Sequence, residues 1–237
     1  VLFVYLIAAM PTLLLPRGAL LAMVRNWSRV NLWLLKVICN IDCEFSGLEN
    51  IPQGAALIAS KHQSMWETFA LITVLDDPAY ILKRELLWIP FFGWCAAKAE
   101  MIPVDRGKRS QALSAMTERA RKETERGREI IIFPEGTRRA PGAEPKYKYG
   151  VAFLYTELGV PCVPVALNSG LFWPRRSFRR YPGVVRVAFL PPIEPGLDRQ
   201  TFYERLQDAI ETKTAELVAM GERASRSVRP RERGEPA

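Results

Sequence analysis

The chain has 237 residues, 49% of them hydrophobic, which excludes a disordered protein and suits one α/β domain with a substantial buried core. Lys and Arg number 33 against 25 Asp and Glu, and the resulting +8 charge points to an anionic partner: nucleic acid, anionic lipid or a phosphorylated substrate. Cys39, Cys43, Cys95 and Cys162 form no CxxC pair and have one histidine among them, so no zinc set is expected and they read as reduced core residues of a cytoplasmic protein.

The chain opens on VLFVYLIAAMPTLLLP, an apolar run that Pro11 interrupts short of the ~20 residues that span a bilayer. No basic region precedes it and no small-x-small cleavage site follows, so a leaflet-dipping anchor is expected rather than a signal peptide, with a tilted span as the alternative. From Ala19 to Ile41, helical spacing puts Leu20, Val24, Trp27, Val30 and Leu34 near one side, punctuated elsewhere by Arg25, Arg29 and Lys36. Residues 1–41 are therefore read as a membrane-associated helix pair.

Residues 42–221 read as the α/β domain, in which short apolar runs alternate with helical patterns. Strands are predicted at Ala56–Ala59, Ala79–Leu82, Met101–Val104, Glu129–Phe133, Cys162–Leu167 and Val184–Leu190, and a helix from Ser110 to just before Gly127. Strand, helix, strand of that length implies a right-handed parallel crossover, hence a mostly parallel mixed sheet flanked by helices. TFYERLQDAIETKTAELVAM follows as a packing helix, with Thr201 and Glu204 in capping-box spacing, and residues 222–237 read as a disordered basic tail.

Two stretches carry chemistry. In SKHQSMWET the single histidine, His62, precedes a carboxylate, Glu67, by five residues. Ser64 and Glu67 fit a capping box, which gives Glu67 a structural task. If His62 lies before the helix it can also fold back onto that carboxylate, which would fix the imidazole tautomer and stabilise its cation. The second stretch, IIIFPEGTRR, runs a strand into a tight turn where Gly136 allows close backbone approach and Arg138 offers a fork for phosphate. The bland reading is a surface turn with Glu135 paired to a local arginine. EMIPVDRG adds Arg106 as a second phosphate contact, and LFWPRRSFRRYPG interleaves aromatics with arginines in a manner suited to a membrane surface or nucleic acid.

KHQSMWET, EMIPVDR, FPEGTR and VPCVPVAL, in this order, resemble the four blocks of the glycerolipid acyltransferase family, and KRELLWIPFFGW and LNSGLFWP extend the likeness from about Gly47 to Leu197. The resemblance implies transfer of a fatty acyl group from acyl-CoA or acyl carrier protein to the sn-2 hydroxyl of a 1-acyl-glycerol 3-phosphate at the cytoplasmic face of the inner membrane. On that pattern His62 is the general base and Glu67 stands where the family has aspartate. Arg106, Glu135, Gly136 and Arg138 fall on glycerophosphate-binding positions, with Thr137 in the same block and Lys83 heading KRELLWIPFFGW among the substrate contacts. Val163 and Pro164 would shape the donor side. Glu100 replaces the glycine of the second block, which bears on the backbone there and on an anion beside it.

A thioester donor is already activated, so no metal and no cofactor beyond the acyl carrier is expected. A ping-pong route through Cys95 or Cys162 is the chemical alternative. Acceptors such as lyso-ornithine lipid or glycerol 3-phosphate would use the same chemistry. A non-catalytic anionic-lipid binder would leave the His62–Glu67 spacing without a purpose, and a nucleic-acid binder would leave the apolar amino terminus unexplained.

Overall fold

The computed structural model describes residues 2–105 and 109–228. Its strands are β1 (Ile41–Ser46), β2 (Ala56–Ser60), β3 (Pro78–Lys83), β4 (Ile102–Val104), β5 (Glu129–Ile132), β6 (Cys162–Leu167) and β7 (Gly183–Phe189). They form one sheet in the order β1-β7-β6-β2-β5-β3-β4. Strands β6, β2, β5, β3 and β4 run parallel, whereas β7 pairs antiparallel with β6 and β1 parallel with β7. The helices are α1 (Leu2–Ala8), α2 (Arg17–Cys39), α3 (Glu67–Ala70), α4 (Phe92–Lys98), α5 (Arg109–Thr124), α6 (Gly150–Leu158) and α7 (Arg199–Val228).

The central strands are apolar throughout because both faces of the sheet are covered. Leu57 and Ala59 of β2, with Ile130 and Ile132 of β5, face a core closed by Met116 of α5, Leu154 of α6 and Phe202 of α7. Ala56, Ile58 and Ile131 face the opposite core, closed by Trp66 and Phe69 around α3 and by Val24, Trp27 and Leu35 of α2. The sheet is thus the middle of three layers.

This topology places a ligand crevice. From β2 the chain crosses to β3, beyond β5; from β5 it crosses back over β2 to β6. Connections of opposite direction and the same hand lie on opposite faces, and α3 and α6 do so. The loops leaving the adjacent strands β2 and β5 therefore diverge, opening the kind of crevice in which α/β sheets bind ligands.

All six predicted strands are present within a residue or two. β1 was not expected. IDCEFS carries Asp42 and Glu44, and β1 is a sheet edge whose sole strand partner, β7, lies some 140 residues further along the chain. The predicted capping box at Thr201 gives way to Asp198, whose Oδ1 accepts the N–H groups of Gln200 and Thr201 at 3.0 and 3.1 Å. α7 runs on to Val228, so the first seven residues of the expected tail are helical, and residues 229–237 lie outside the described residues.

α2 packs onto the domain, where Trp27 meets Phe69 edge-on at 5.6 Å and Arg17 binds Asp77 bidentately. Its exposed face carries Trp33, Val37 and Ile38. Among the described residues no helix is long and apolar enough to cross a membrane.

Candidate active site

His62 lies two residues beyond β2, outside any helix, and its carbonyl accepts the Arg139 N–H at 2.8 Å. The imidazole stacks on Phe133, the first residue after β5, with centroids 4.0 Å apart and planes at 20°. The two diverging loops thus clamp the ring between them.

Glu67 answers both readings of the stretch at once. Its Oε1 accepts the N–H groups of Gln63 and Ser64, each at 2.7 Å, while the Ser64 hydroxyl accepts the Trp66 N–H at 3.2 Å. The Glu67 half of the expected capping box is thus present, whereas the Ser64 hydroxyl serves the turn before the helix, whose own N-cap, Trp66, has no side-chain cap. The same Oε1 lies 2.9 Å from His62 Nδ1, and its partner Oε2 accepts the Ser169 hydroxyl at 2.8 Å. A fully buried carboxylate with these donors has nothing left to share with water. Its acceptor oxygen assigns the proton of neutral His62 to Nδ1, so the Nε2 lone pair, on the far edge of the ring, is the available base.

The FPEGTR turn is closed by the Gly136 N–H on the Phe133 carbonyl at 2.8 Å. Gly136 takes φ +63°, the left-handed region that favours glycine, and a Cβ there would also press on the Lys148 side chain at 3.0 Å. Arg138 is half-buried and Thr137 exposed, and among the described residues the Arg138 guanidinium has no acidic partner. Lys83, exposed at the carboxyl end of β3, has none either. Both are open to an anion. Arg106 lies outside the described residues.

Glu135 departs from expectation. Its Oε1 lies 3.8 Å from the local Arg139 Nε, as the bland reading has it, but the carboxylate is buried and its Oε2 turns inward to Lys61 Nζ at 3.2 Å, and Lys61 in turn binds Glu211 of α7 at 2.6 Å. Burial pushes the Glu135 carboxyl above its ordinary range against the pull of the Lys61 charge. Glu211 also accepts the Tyr147 hydroxyl at 2.8 Å. Glu135 therefore shapes the turn from behind, because a carboxylate facing a bound phosphate would repel it. Val163 and Pro164 belong to β6, and Val163 is core. As buried strand residues they can bound the donor side only through the sheet.

Sequence reasoning missed Ser169, Gln63 and Glu211. Ser169 is 102 residues from Glu67, and Gln63 Oε1 accepts the Gly170 N–H at 3.0 Å from the same distant loop. Burial pushes the Cys162 thiol far above its ordinary range and raises Cys95 as well, which disfavours the thiolate a ping-pong route would need.

Residues 42–168 match the family model described as Acyltransferase. The 1-acyl-sn-glycerol-3-phosphate acyltransferase of Pseudomonas aeruginosa is 37% identical over 196 residues, covering 83% of this chain and 76% of that protein. The mouse 1-acyl-sn-glycerol-3-phosphate acyltransferase alpha is 32% identical over 176 residues, 72% of this chain and 62% of that protein. In fold, the chain resembles the crystal structure of the 1-acyl-sn-glycerophosphate acyltransferase of Thermotoga maritima, with TM-score 0.72 and 24% identity over 86% of this chain and 81% of that one.

Proposed function

The chain belongs to the acyltransferase family, and from that premise we propose that it acylates the sn-2 hydroxyl of 1-acyl-glycerol 3-phosphate to give phosphatidic acid. The observation that carries this reading is the 2.9 Å contact between His62 Nδ1 and a buried Glu67 carboxylate, which leaves Nε2 as a base at the mouth of the crevice.

The donor is an acyl thioester of coenzyme A or of a carrier protein. His62 Nε2 takes the proton of the acceptor hydroxyl as its oxygen attacks the thioester carbonyl carbon. Glu67 stabilises the imidazolium so formed. The tetrahedral intermediate collapses, the carbon–sulfur bond breaks, and the imidazolium returns the proton to the departing thiolate. No enzyme nucleophile is needed. Arg138 and Lys83 bind the acceptor phosphate, with Arg106 as a further contact, and Thr137 and Gly136 border it. The reaction takes place at the cytoplasmic face of the inner membrane, with the exposed apolar face of α2 as one contact with lipid.

Purified protein is given an acyl-CoA and lysophosphatidic acid, alongside His62→Ala and Glu67→Gln. Phosphatidic acid made by the wild type and lost in both variants, at preserved melting temperature, is the expected result. Activity that survives His62→Ala would sink the mechanism.

A further inference from the structure

One segment takes no part in the chemistry above. Residues 173–181 link β6 to β7, antiparallel neighbours, so this loop stands at the end of the sheet that holds His62. Its root is Ser169, which binds Glu67. We propose that this loop docks the active-site end of the domain onto a bilayer bearing anionic headgroups; the proposal deepens the reading of a lipid acceptor and rests on it.

Three observations carry it. First, the loop has a fixed root. The Arg180 guanidinium lies 3.6 Å over the Trp173 ring, and Trp173 packs 6.1 Å from Phe69 of α3, while the Tyr181 N–H binds the Phe172 carbonyl at 2.9 Å. Arg176 adopts φ +56°, the left-handed region, which marks a sharp turn of the chain within the loop.

Second, the tip presents groups that the protein itself does not use. Phe178 is fully exposed, and Arg175, Arg176 and Arg179 have no carboxylate partner among the described residues. Segment 172–183 holds four arginines and no acid. Many arginines elsewhere are neutralised: Arg17, Arg126, Arg128, Arg186 and Arg199 each have a carboxylate within 4 Å, and no other run of this length among the described residues sets three unpaired arginines beside an exposed aromatic ring. An unscreened phenyl ring flanked by free guanidinium groups is the composition of an interfacial contact, with the ring in the acyl boundary and the charges on phosphates.

Third, the neighbouring surface is apolar. The Gly183 N–H binds the Asn40 carbonyl, so the last turns of α2 meet the base of this loop, and they expose Trp33, Val37 and Ile38. Nucleic acid would be drawn to the arginines but gains nothing from the aliphatic face beside them. A lipid surface rewards both.

The test is co-sedimentation of the full chain with phosphatidylcholine vesicles, with and without phosphatidylglycerol, at low and high salt. The variants are Phe178→Ala and the triple Arg175→Gln, Arg176→Gln, Arg179→Gln. Each is also assayed on a short-chain lysophosphatidic acid dispersed as monomers. Neutralising three arginines should weaken binding to the anionic vesicles on the order of a hundredfold, with little effect on neutral ones. Phe178→Ala should cost about tenfold on both. Activity on the dispersed acceptor should be unchanged.

Unaltered binding of the triple variant to anionic vesicles would overturn the proposal. So would loop-dependent binding to duplex DNA without binding to vesicles, or loss of the short-chain activity with a lowered melting temperature, which would make the loop structural. A wild type that sediments as described yet fails to acylate the dispersed acceptor would instead break the functional reading and leave the docking surface standing.

Discussion

The two ends of the central sheet both bury charge, and they do so differently. At the amino ends of the strands Arg128 is fully buried, giving Nη1 to Glu123 at 2.7 Å and Nη2 to the carbonyls of Ala99 and Pro78 at 3.0 and 3.2 Å. Arg17 of α2 grips Asp77 there, and Glu129 accepts the N–H groups of Asp76 and Asp77 at 2.9 and 2.7 Å. Charges at this end face one another: even Arg128 Nε, which has no hydrogen bond among the described residues, lies 3.2 Å from Asp77 Oδ1. At the carboxyl ends Lys61 joins Glu135 to Glu211, yet among the described residues neither Glu135 oxygen has a hydrogen bond, nor does Gln63 Nε2. Among the described residues Arg138 and Lys83 face no acid. A network whose charges all find partners in the protein stabilises a fold, whereas one bordered by unpaired cations is arranged around something that is not the protein.

Glu100 shows the same contrast within one residue. In the position where the resembled block has glycine, it takes φ +57°, the region glycine prefers, at a cost of about 1 kcal/mol. Its carboxylate lies 3.4 Å from Arg17 and 3.2 Å from Arg126. Since it precedes β4, it sits at the amino end, away from the crevice, and does not confront the phosphate.

Breaking each end should therefore fail in a different currency. His62→Ala is expected to lower turnover by about 10²–10⁴-fold, the usual worth of a general base, with the melting temperature held. Arg128→Leu should do the reverse. Removing one partner of a buried ion pair costs about 3–5 kcal/mol, read as a lower urea midpoint, while the specific activity of the protein still folded stays near wild type. If Arg128→Leu lost activity without losing stability, the division between the two ends would be wrong.

Within the carboxyl end, the open and the occupied cations separate next. Arg138→Ala should raise KM for a phosphate-bearing acceptor about ten- to a hundredfold with kcat little changed, the worth of a charge-assisted hydrogen bond. A matching acceptor that lacks the phosphate should show no such rise. Lys61→Met acts from behind the turn. It leaves Glu135 buried without its cation, so stability should fall by about 3 kcal/mol and drag activity with it.

How much of this could be read from the sequence follows the range of each interaction. ALIAS and CVPVAL are buried at every position, so β2 and β6 declare themselves, whereas the charged edge strand β1 becomes a strand only by lying against β7. His62 and Glu67 were legible because five residues and a turn suffice to join them. Ser169 and Glu211 were not, since the contacts they make span 102 and 150 residues and exist only once the layers have packed. The FPEGTR motif located Glu135 but gave no sign that its carboxylate points inward, which depends on Lys61 and α7.

The smallest effects lie in the acid limb, where the two ends should respond with opposite sign. At the amino end, burial raises the Asp77 carboxyl, but the Arg17 hydrogen bond and the charges of Arg128 and Arg17 outweigh it and hold the group below its ordinary range. A depressed carboxyl stabilises the fold above its unfolded value, about 3.9, and loses that contribution as pH falls through the lower folded value. Asp77→Asn should thus cost about 1 kcal/mol near neutrality, roughly 2–4 °C in Tm, and the gap to wild type should close below about pH 4. Glu135 is held above its range, so its contribution is complete below its unfolded value, about 4.3, and is lost as pH rises through the folded one. In Glu135→Gln that loss is absent, and the variant should gain on wild type as pH climbs from about 4 toward neutrality. Melting curves across this range decide it: gaps that move in parallel for the two variants would mean that both ends are ordinary surface charge, and the contrast between a closed and an open network would fall.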